Sequence, residues 1–289
     1  MSTSSDRPEN RTRFVADPES SETMAWLLNA DKVLTKGMGG TLAEQSNLSG
    51  IKRVLDIACG PGGWALEVAR EHPEIDVTGI DISESMIRFA KALVTSRGYN
   101  NVRFLVMDAT QPLQFEDASF DLVNARTLFG VLAPRDWPRL LAECKRILRP
   151  GGIIRLTEPE APVSTSPALN ALWEMAIKSF VVSKRSFSRD GRHLGVTLAL
   201  KPLLREAGFE HVSHQGHVLD ISSATEDAEG YRVNFRYAIN LVKPFYLKLG
   251  LTTEEEFEPL YNQMLAEMLA EDFSGYWMYV TVRGEKPQE

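Results

Sequence analysis

From Ile51 onward the apolar residues of this chain fall into two alternating rhythms. Five short runs, Arg53–Ala58, Asp76–Asp81, Val102–Met107, Phe120–Ala125 and Gly152–Glu158, are apolar through most of their length, as strands buried on both faces must be. Between them lie amphipathic stretches, Gly63–His72, Ser83–Ser96 and Pro138–Leu148, that read as helices. In the second of these Met86, Ile87, Ala90, Leu93 and Val94 share one face, and Ser83 is placed to cap it. Arg149–Pro150–Gly151–Gly152 ends one helix and launches the next strand. This alternation predicts an α/β fold with a parallel sheet covered on both sides.

The rhythm breaks twice after Glu158. Residues 159–195 carry Trp173, Met175, Phe180 and Phe187 without a strand pattern, and residues 224–273 suggest helices either side of Lys243–Pro244. Between these insertions a helix at Val196–Ala207 stops near Gly208 and a strand covers 209–222; a final strand covers Tyr276–Arg283, rich in aromatic and β-branched residues. Upstream, a helix is expected from Ser21, ending at Gly37–Met38–Gly39–Gly40. The predicted organisation is a flexible polar terminus over 1–20, a helical lid over 21–47, and one domain over 48–289 capped by the insertions 159–195 and 224–273.

Composition narrows the function classes. With 39 acidic and 32 basic residues the net charge is −7, and no cluster of Lys and Arg offers a partner to a polyphosphate backbone, so nucleic acid is excluded as a substrate. Two cysteines, Cys59 and Cys144, make no disulfide framework and no zinc spacing. No run of about 18 apolar residues is present and the first residues hold no signal-like segment, so a soluble, cytoplasmic protein without a membrane partner is expected, as monomer or homodimer.

The chemistry concentrates in Val54–Leu55–Asp56–Ile57–Ala58–Cys59–Gly60–Pro61–Gly62–Gly63–Trp64, a strand that enters a glycine-rich turn and then a helix. Such a turn lets a ligand approach bare backbone at the carboxyl end of the sheet. Asp81 ends the second strand, where an acid can accept from both hydroxyls of a ribose, and Asp108 follows the third. Strand ends of a parallel sheet face one crevice, so Asp56, Asp81 and Asp108 are expected to converge. Gly60, Gly62 and Ala65 also satisfy the dinucleotide pattern G-x-G-x-x-A, which keeps an NAD(P)-dependent oxidoreductase as an alternative. Charge argues against it: Asp56 would repel a pyrophosphate, and Pro61 supplies no amide hydrogen. S-adenosyl-L-methionine brings an ammonium and a sulfonium instead.

Over about residues 51–159 the chain resembles the class I, Rossmann-like S-adenosylmethionine-dependent methyltransferases of small-molecule type. The glycine-rich turn, Asp81, Met107–Asp108–Ala109, Phe120–Asp121–Leu122–Val123 and Leu148–Arg149–Pro150–Gly151–Gly152 occur in that family's order. The resemblance implies a seven-stranded, mostly parallel sheet with its last strand antiparallel. It implies that Asp56 and the Ala58, Gly60 and Gly62 backbone hold the methionine portion, Asp81 the ribose, and that Ile82 packs on the adenine. Asp108 and the Ala109 amide would bind the adenine edge, with Asn124 and Ala125 beside the reactive methyl. The product would be S-adenosyl-L-homocysteine. Ala58 stands where the family has its first glycine. A non-catalytic module binding the same nucleoside is a further alternative.

Methyl transfer from a sulfonium needs the acceptor atom held in line and water excluded, an orientation effect worth roughly several kcal/mol. Where the acceptor is a hydroxyl or an acidic carbon a base assists, and Glu158 and His193 are the candidates. The acceptor is expected to be a small, largely apolar or aromatic metabolite methylated on O, N or C, lined by Met38, Phe129, Trp173, Tyr231 and Phe235. No metal is expected: Asn124, Glu158 and Glu160 imitate a magnesium site only loosely, and the spacing of His211, His214 and His217 does not suit zinc.

Overall fold

The computed structural model describes residues 20–45 and 47–289, so the terminus expected to be flexible lies, apart from Ser20, outside the described residues. The first helix, α1 (Ser21–Gly37), is capped by the Ser20 hydroxyl, which accepts the Thr23 amide at 3.0 Å. There follow β1 (Arg53–Ile57), α2 (Gly63–Glu71), β2 (Asp76–Asp81), α3 (Glu84–Arg97), β3 (Val102–Val106), β4 (Phe120–Arg126), α4 (Trp137–Ile147) and β5 (Leu148–Pro159). Then come β6 (Val163–Ser164), α5 (Pro167–Val182), α6 (Val196–Glu206), β7 (Glu210–Asp220), α7 (Ala228–Lys248), α8 (Glu254–Glu267) and β8 (Gly275–Glu285).

The strands form one sheet in the order β3-β2-β1-β4-β5-β8-β6, with β7 also paired to β8. The pairs β2–β3, β1–β2, β1–β4 and β4–β5 are parallel, whereas β8 runs antiparallel to β5, β6 and β7. The doubly covered parallel sheet with a reversed last strand is therefore as the chain predicts, but among the described residues the sheet has eight strands rather than seven. The extra one, β6, is two residues long, too short to show an alternation in sequence. Alternate strand residues face opposite sides. Leu55, Ile57, Val123, Ala125, Ile154 and Leu156 enter the larger core with α4, α5 and α6, while Val54, Val77, Leu122 and Phe104 pack against α2 and α3.

The second insertion departs from expectation. Pro244 does not separate two helices; α7 runs through it and stops at Leu249–Gly250, where glycine takes φ +67°. An interior proline costs about 3 kcal/mol. Burying Tyr231, Phe235, Ile239 and Tyr246 along one face of α7 returns roughly 1.5–3 kcal/mol per apolar side chain, which outweighs it. Among the described residues no helix is long and apolar enough to cross a membrane.

Candidate active site

The turn after β1 is built from left-handed residues: Ala58 at φ +53°, Gly60 at +53° and Gly62 at +84°. Gly62 is required by packing as well as by conformation, because a Cβ there would lie 2.6 Å from the Phe104 ring. The Cys59 amide donates to the Ile80 carbonyl at 2.9 Å, and the Gly60 amide donates to Asp81 Oδ2 at 2.9 Å. Asp81 Oδ1 accepts the Ser83 amide at 2.9 Å. Backbone amides thus orient both oxygens of Asp81 at the end of β2. Ile82 beside it is 48% exposed, an apolar platform of the kind a purine face covers.

Asp56 lies in β1 directly opposite Asn124 of β4. Its carboxyl is 4% exposed, and Oδ1 accepts from Asn124 Nδ2 at 2.7 Å. Burial pushes its pKa up to about 7, against the pull of the Arg126 charge and the Asn124 hydrogen bond. An arriving ammonium would restore its negative charge. Asp108 Oδ1 accepts from Thr110 N at 2.8 Å and Thr110 Oγ1 at 2.7 Å, in a turn that includes Ala109. Asn124 and Ala125 are 0% and 1% exposed, so neither reaches the surface beside the turn, where the resemblance placed them next to the methyl. Three acids at neighbouring strand ends, a bare-backbone turn and an exposed Ile82 suit a cationic nucleoside and oppose a pyrophosphate.

Sequence reasoning missed how α1 covers this turn. A Cβ on Gly60 would sit 3.5 Å from Leu27, and a Cβ on Gly63 would collide with the Asp31 carboxylate. Asp31 Oδ2 accepts the Trp64 amide at 3.2 Å, at the positive end of α2, and its other oxygen pairs with Arg126. Arg126 Nη1 also donates to Thr35 Oγ1 at 3.0 Å. Burial lifts the Asp31 pKa, although Arg126 and the Trp64 and Gly63 amides draw it down. Two guanidiniums, of Arg126 and Arg155, each lie 6.0 Å from the centroid of the Trp64 ring, and its indole N–H donates to the Thr41 carbonyl at 2.9 Å. Arginine and asparagine inside strands that are otherwise apolar were the available signal, since buried polar groups need partners.

Glu158 is fully buried, and its two oxygens accept the amides of Leu128 at 2.7 Å and Phe129 at 3.2 Å. It caps the short turn Leu128–Gly130 after β4, and burial raises its pKa to about 8. His193 is 36% exposed, with its Nε2 3.6 Å from Asp190. Neighbouring Leu194 and Gly195 donate their amides to Glu160. Of the residues expected to line an acceptor space, Met38, Tyr231 and Phe235 are packed into the core at 5%, 3% and 0% exposure. Their aromatic and apolar surface holds α1 and α7 to the sheet. Phe129 lies at a tilt to Phe180 with ring centroids 5.3 Å apart, and Trp173 meets Trp277 at 6.0 Å with its buried indole N–H finding no partner among the described residues. A cleft of about 310 Å³ opens to one side instead, lined by Thr110, Gln111, Arg135, Asp136 and Arg139. The histidines go to separate partners: His211 to Glu285, His214 to Lys201, His217 to Glu44 and Thr281.

A family model described as a methyltransferase domain matches residues 54–152, from β1 through the glycine pair that opens the parallel part of β5. The demethylmenaquinone methyltransferase of Lactococcus lactis is 30% identical over 189 residues, covering 61% of this chain and 73% of that protein. That of Listeria monocytogenes serotype 4a is 32% identical over 175 residues, covering 57% and 72%. Among solved structures, the YcgJ protein of Bacillus subtilis superposes with a TM-score of 0.53 at 19% identity, covering 86% of this chain and 99% of that one. A Haemonchus contortus phosphoethanolamine N-methyltransferase solved with S-adenosylhomocysteine gives 0.50 at 20%, covering 91% and 53%.

Proposed function

The chain belongs to the S-adenosylmethionine-dependent methyltransferases and carries the methyl group of that cofactor to a small molecule; from this premise we propose that its acceptor is a flat, largely apolar ring held under the helical caps. The cofactor supplies an electrophilic methyl on a sulfonium. What the protein adds is placement: Asp81 for the ribose, Ile82 against the base, Asp108 and Ala109 at the adenine edge, Asp56 for the ammonium.

The observation that carries the acceptor class is the aromatic group on the cap side of β8. Trp277 meets Phe235 at 5.0 Å, Tyr279 at 4.9 Å and Trp173 at 6.0 Å. Such rings favour a planar apolar guest through area and edge-to-face contact. The relatives named for demethylmenaquinone, a quinone, agree with this chemistry. About two fifths of this chain nevertheless falls outside the alignment with them, so the acceptor is argued from the cap's own residues.

In this reading the packed state of Met38, Tyr231 and Phe235 is the closed form, and acceptor entry parts α1 from α7. Glu158 acts through the Leu128–Phe129 turn it caps, which lies beside the crevice. Held neutral below about pH 8, it carries a proton near neutrality and accepts one only in alkaline solution. His193 serves where the acceptor carries an acidic proton. The test is to incubate the protein with S-adenosylmethionine and two acceptor panels, aromatic hydroxyls and quinols against small hydrophilic amines, and to follow S-adenosylhomocysteine. Turnover confined to the first panel supports the proposal. Turnover confined to the amines overturns it.

A further inference from the structure

Asp56, Asn124, Arg155 and Arg283 stand in register across four neighbouring strands, β1, β4, β5 and β8. They form a polar row through an otherwise apolar sheet, and the first three are 4%, 0% and 1% exposed. Arg155 Nη1 donates to Asn124 Oδ1 at 2.6 Å, and Asn124 Nδ2 donates to Asp56 Oδ1 at 2.7 Å. The order of this chain is forced. A guanidinium only donates, so the amide oxygen of Asn124 must face Arg155 and its NH₂ must face Asp56.

Arg155 is itself held from outside the sheet. Glu44, on the connector between α1 and β1, takes its Nε at 3.1 Å and its Nη2 at 2.8 Å, and both partners are 1% exposed. Glu44 Oε1 also lies 3.1 Å from His217 Nε2, and Arg283 Nη1 donates to the Glu44 carbonyl at 2.7 Å. A buried ion pair is a poor source of stability, because an apolar pair of similar volume often serves as well or better. Two charges kept at full burial beside a ligand-binding strand therefore call for another task.

We propose that Glu44 and Arg155 are positioning residues for Asp56: by fixing the Asn124 amide they commit Asp56 Oδ1, turn Oδ2 toward the ammonium of the cofactor, and tie the lid connector to the amino-acid end of the site. The inference rests on the reading of Asp56 as the ammonium acceptor. It assigns to a segment outside the glycine-rich motif a share in discriminating the whole cofactor from its nucleoside part. The lid connector and the amino-acid end then order together.

The test compares two ligands by calorimetry: S-adenosylhomocysteine, which carries the amino-acid end, and 5′-methylthioadenosine, which lacks it. In the double variant Glu44→Leu/Arg155→Met, whose apolar pair preserves volume and whose fold is checked by its melting curve, the first ligand is expected to bind at least tenfold more weakly. The second should change less than twofold. Glu44→Gln, which keeps an acceptor for Arg155 and removes the charge, should shift the same ratio in the same direction by less, and it decides the matter where the double variant does not fold. Equal effects on both ligands, or none, in a folded variant would overturn the proposal. Wild-type protein that binds neither ligand would instead defeat the underlying reading of Asp56.

Discussion

Ala58 occupies a left-handed conformation, φ +53°, at the first bend of the glycine-rich turn. For a residue with a Cβ this costs roughly 1–2 kcal/mol. Glycine would relieve it while losing roughly 0.5–1 kcal/mol of backbone entropy on folding. Ala58→Gly is therefore expected to raise stability by up to about 1 kcal/mol, read as a higher denaturant midpoint at unchanged slope. A lower midpoint would show that the methyl earns its place by packing. Glu158 makes a second prediction. A buried carboxyl kept neutral in the fold contributes stability that is fully present below its unfolded value of about 4.3 and is lost as pH rises toward about 8. Glu158→Gln removes that slope. Its melting temperature should fall below wild type at pH 5.5 and draw level with or pass it at pH 8.5. A deficit that widens with pH would mean that the ionised form caps Leu128 and Phe129.

At the scale of elements, α1 packs on α7 and over the turn after β1. It is tied to α7 by Trp26 Nε1 donating to Asn234 Oδ1 at 2.6 Å, by Asn29 donating to the Gly230 carbonyl at 3.0 Å, and by Lys36 with Glu226 and Asp227. The lysine pair is exposed and contributes little. Asn234 is 1% exposed, so its bond is the stronger tie, contributing about 0.5–1.5 kcal/mol. Asn234→Ala should speed amide hydrogen exchange in Ser21–Gly37 while leaving β1 and β4 protected. Uniform loss of protection would show that α1 does not open as a separate unit. The helix itself was legible from its apolar residues and terminal glycines. Its docking was not, because Asp31, Asn29 and Trp26 read locally as ordinary helix positions. Their partners lie at Arg126, Gly230 and Asn234, and only the folded chain brings these distant positions together.

Across the whole molecule, the doubly covered sheet and the three acids at its strand ends followed from periodicity and from the order of a few motifs. Strand ends in a parallel sheet have one place to point, so Asp56, Asp81 and the Asp108 turn needed no long-range information. What stayed hidden depended on such information: the two-residue β6, the passage of α7 through Pro244, and the row from Asp56 to Arg283. The aromatic residues of the insertions were visible, but whether they lined a space or filled one was a matter of packing. The central claim is that the acid-lined crevice holds a cationic nucleoside through Asp81. It is tested most directly by titrating S-adenosylhomocysteine and NAD into wild-type protein and into Asp81→Ala by calorimetry. The account predicts saturable heat for S-adenosylhomocysteine, at least tenfold weaker in a variant that still melts cooperatively, and no binding of NAD. Capture of NAD, or S-adenosylhomocysteine affinity indifferent to Asp81, would contradict it.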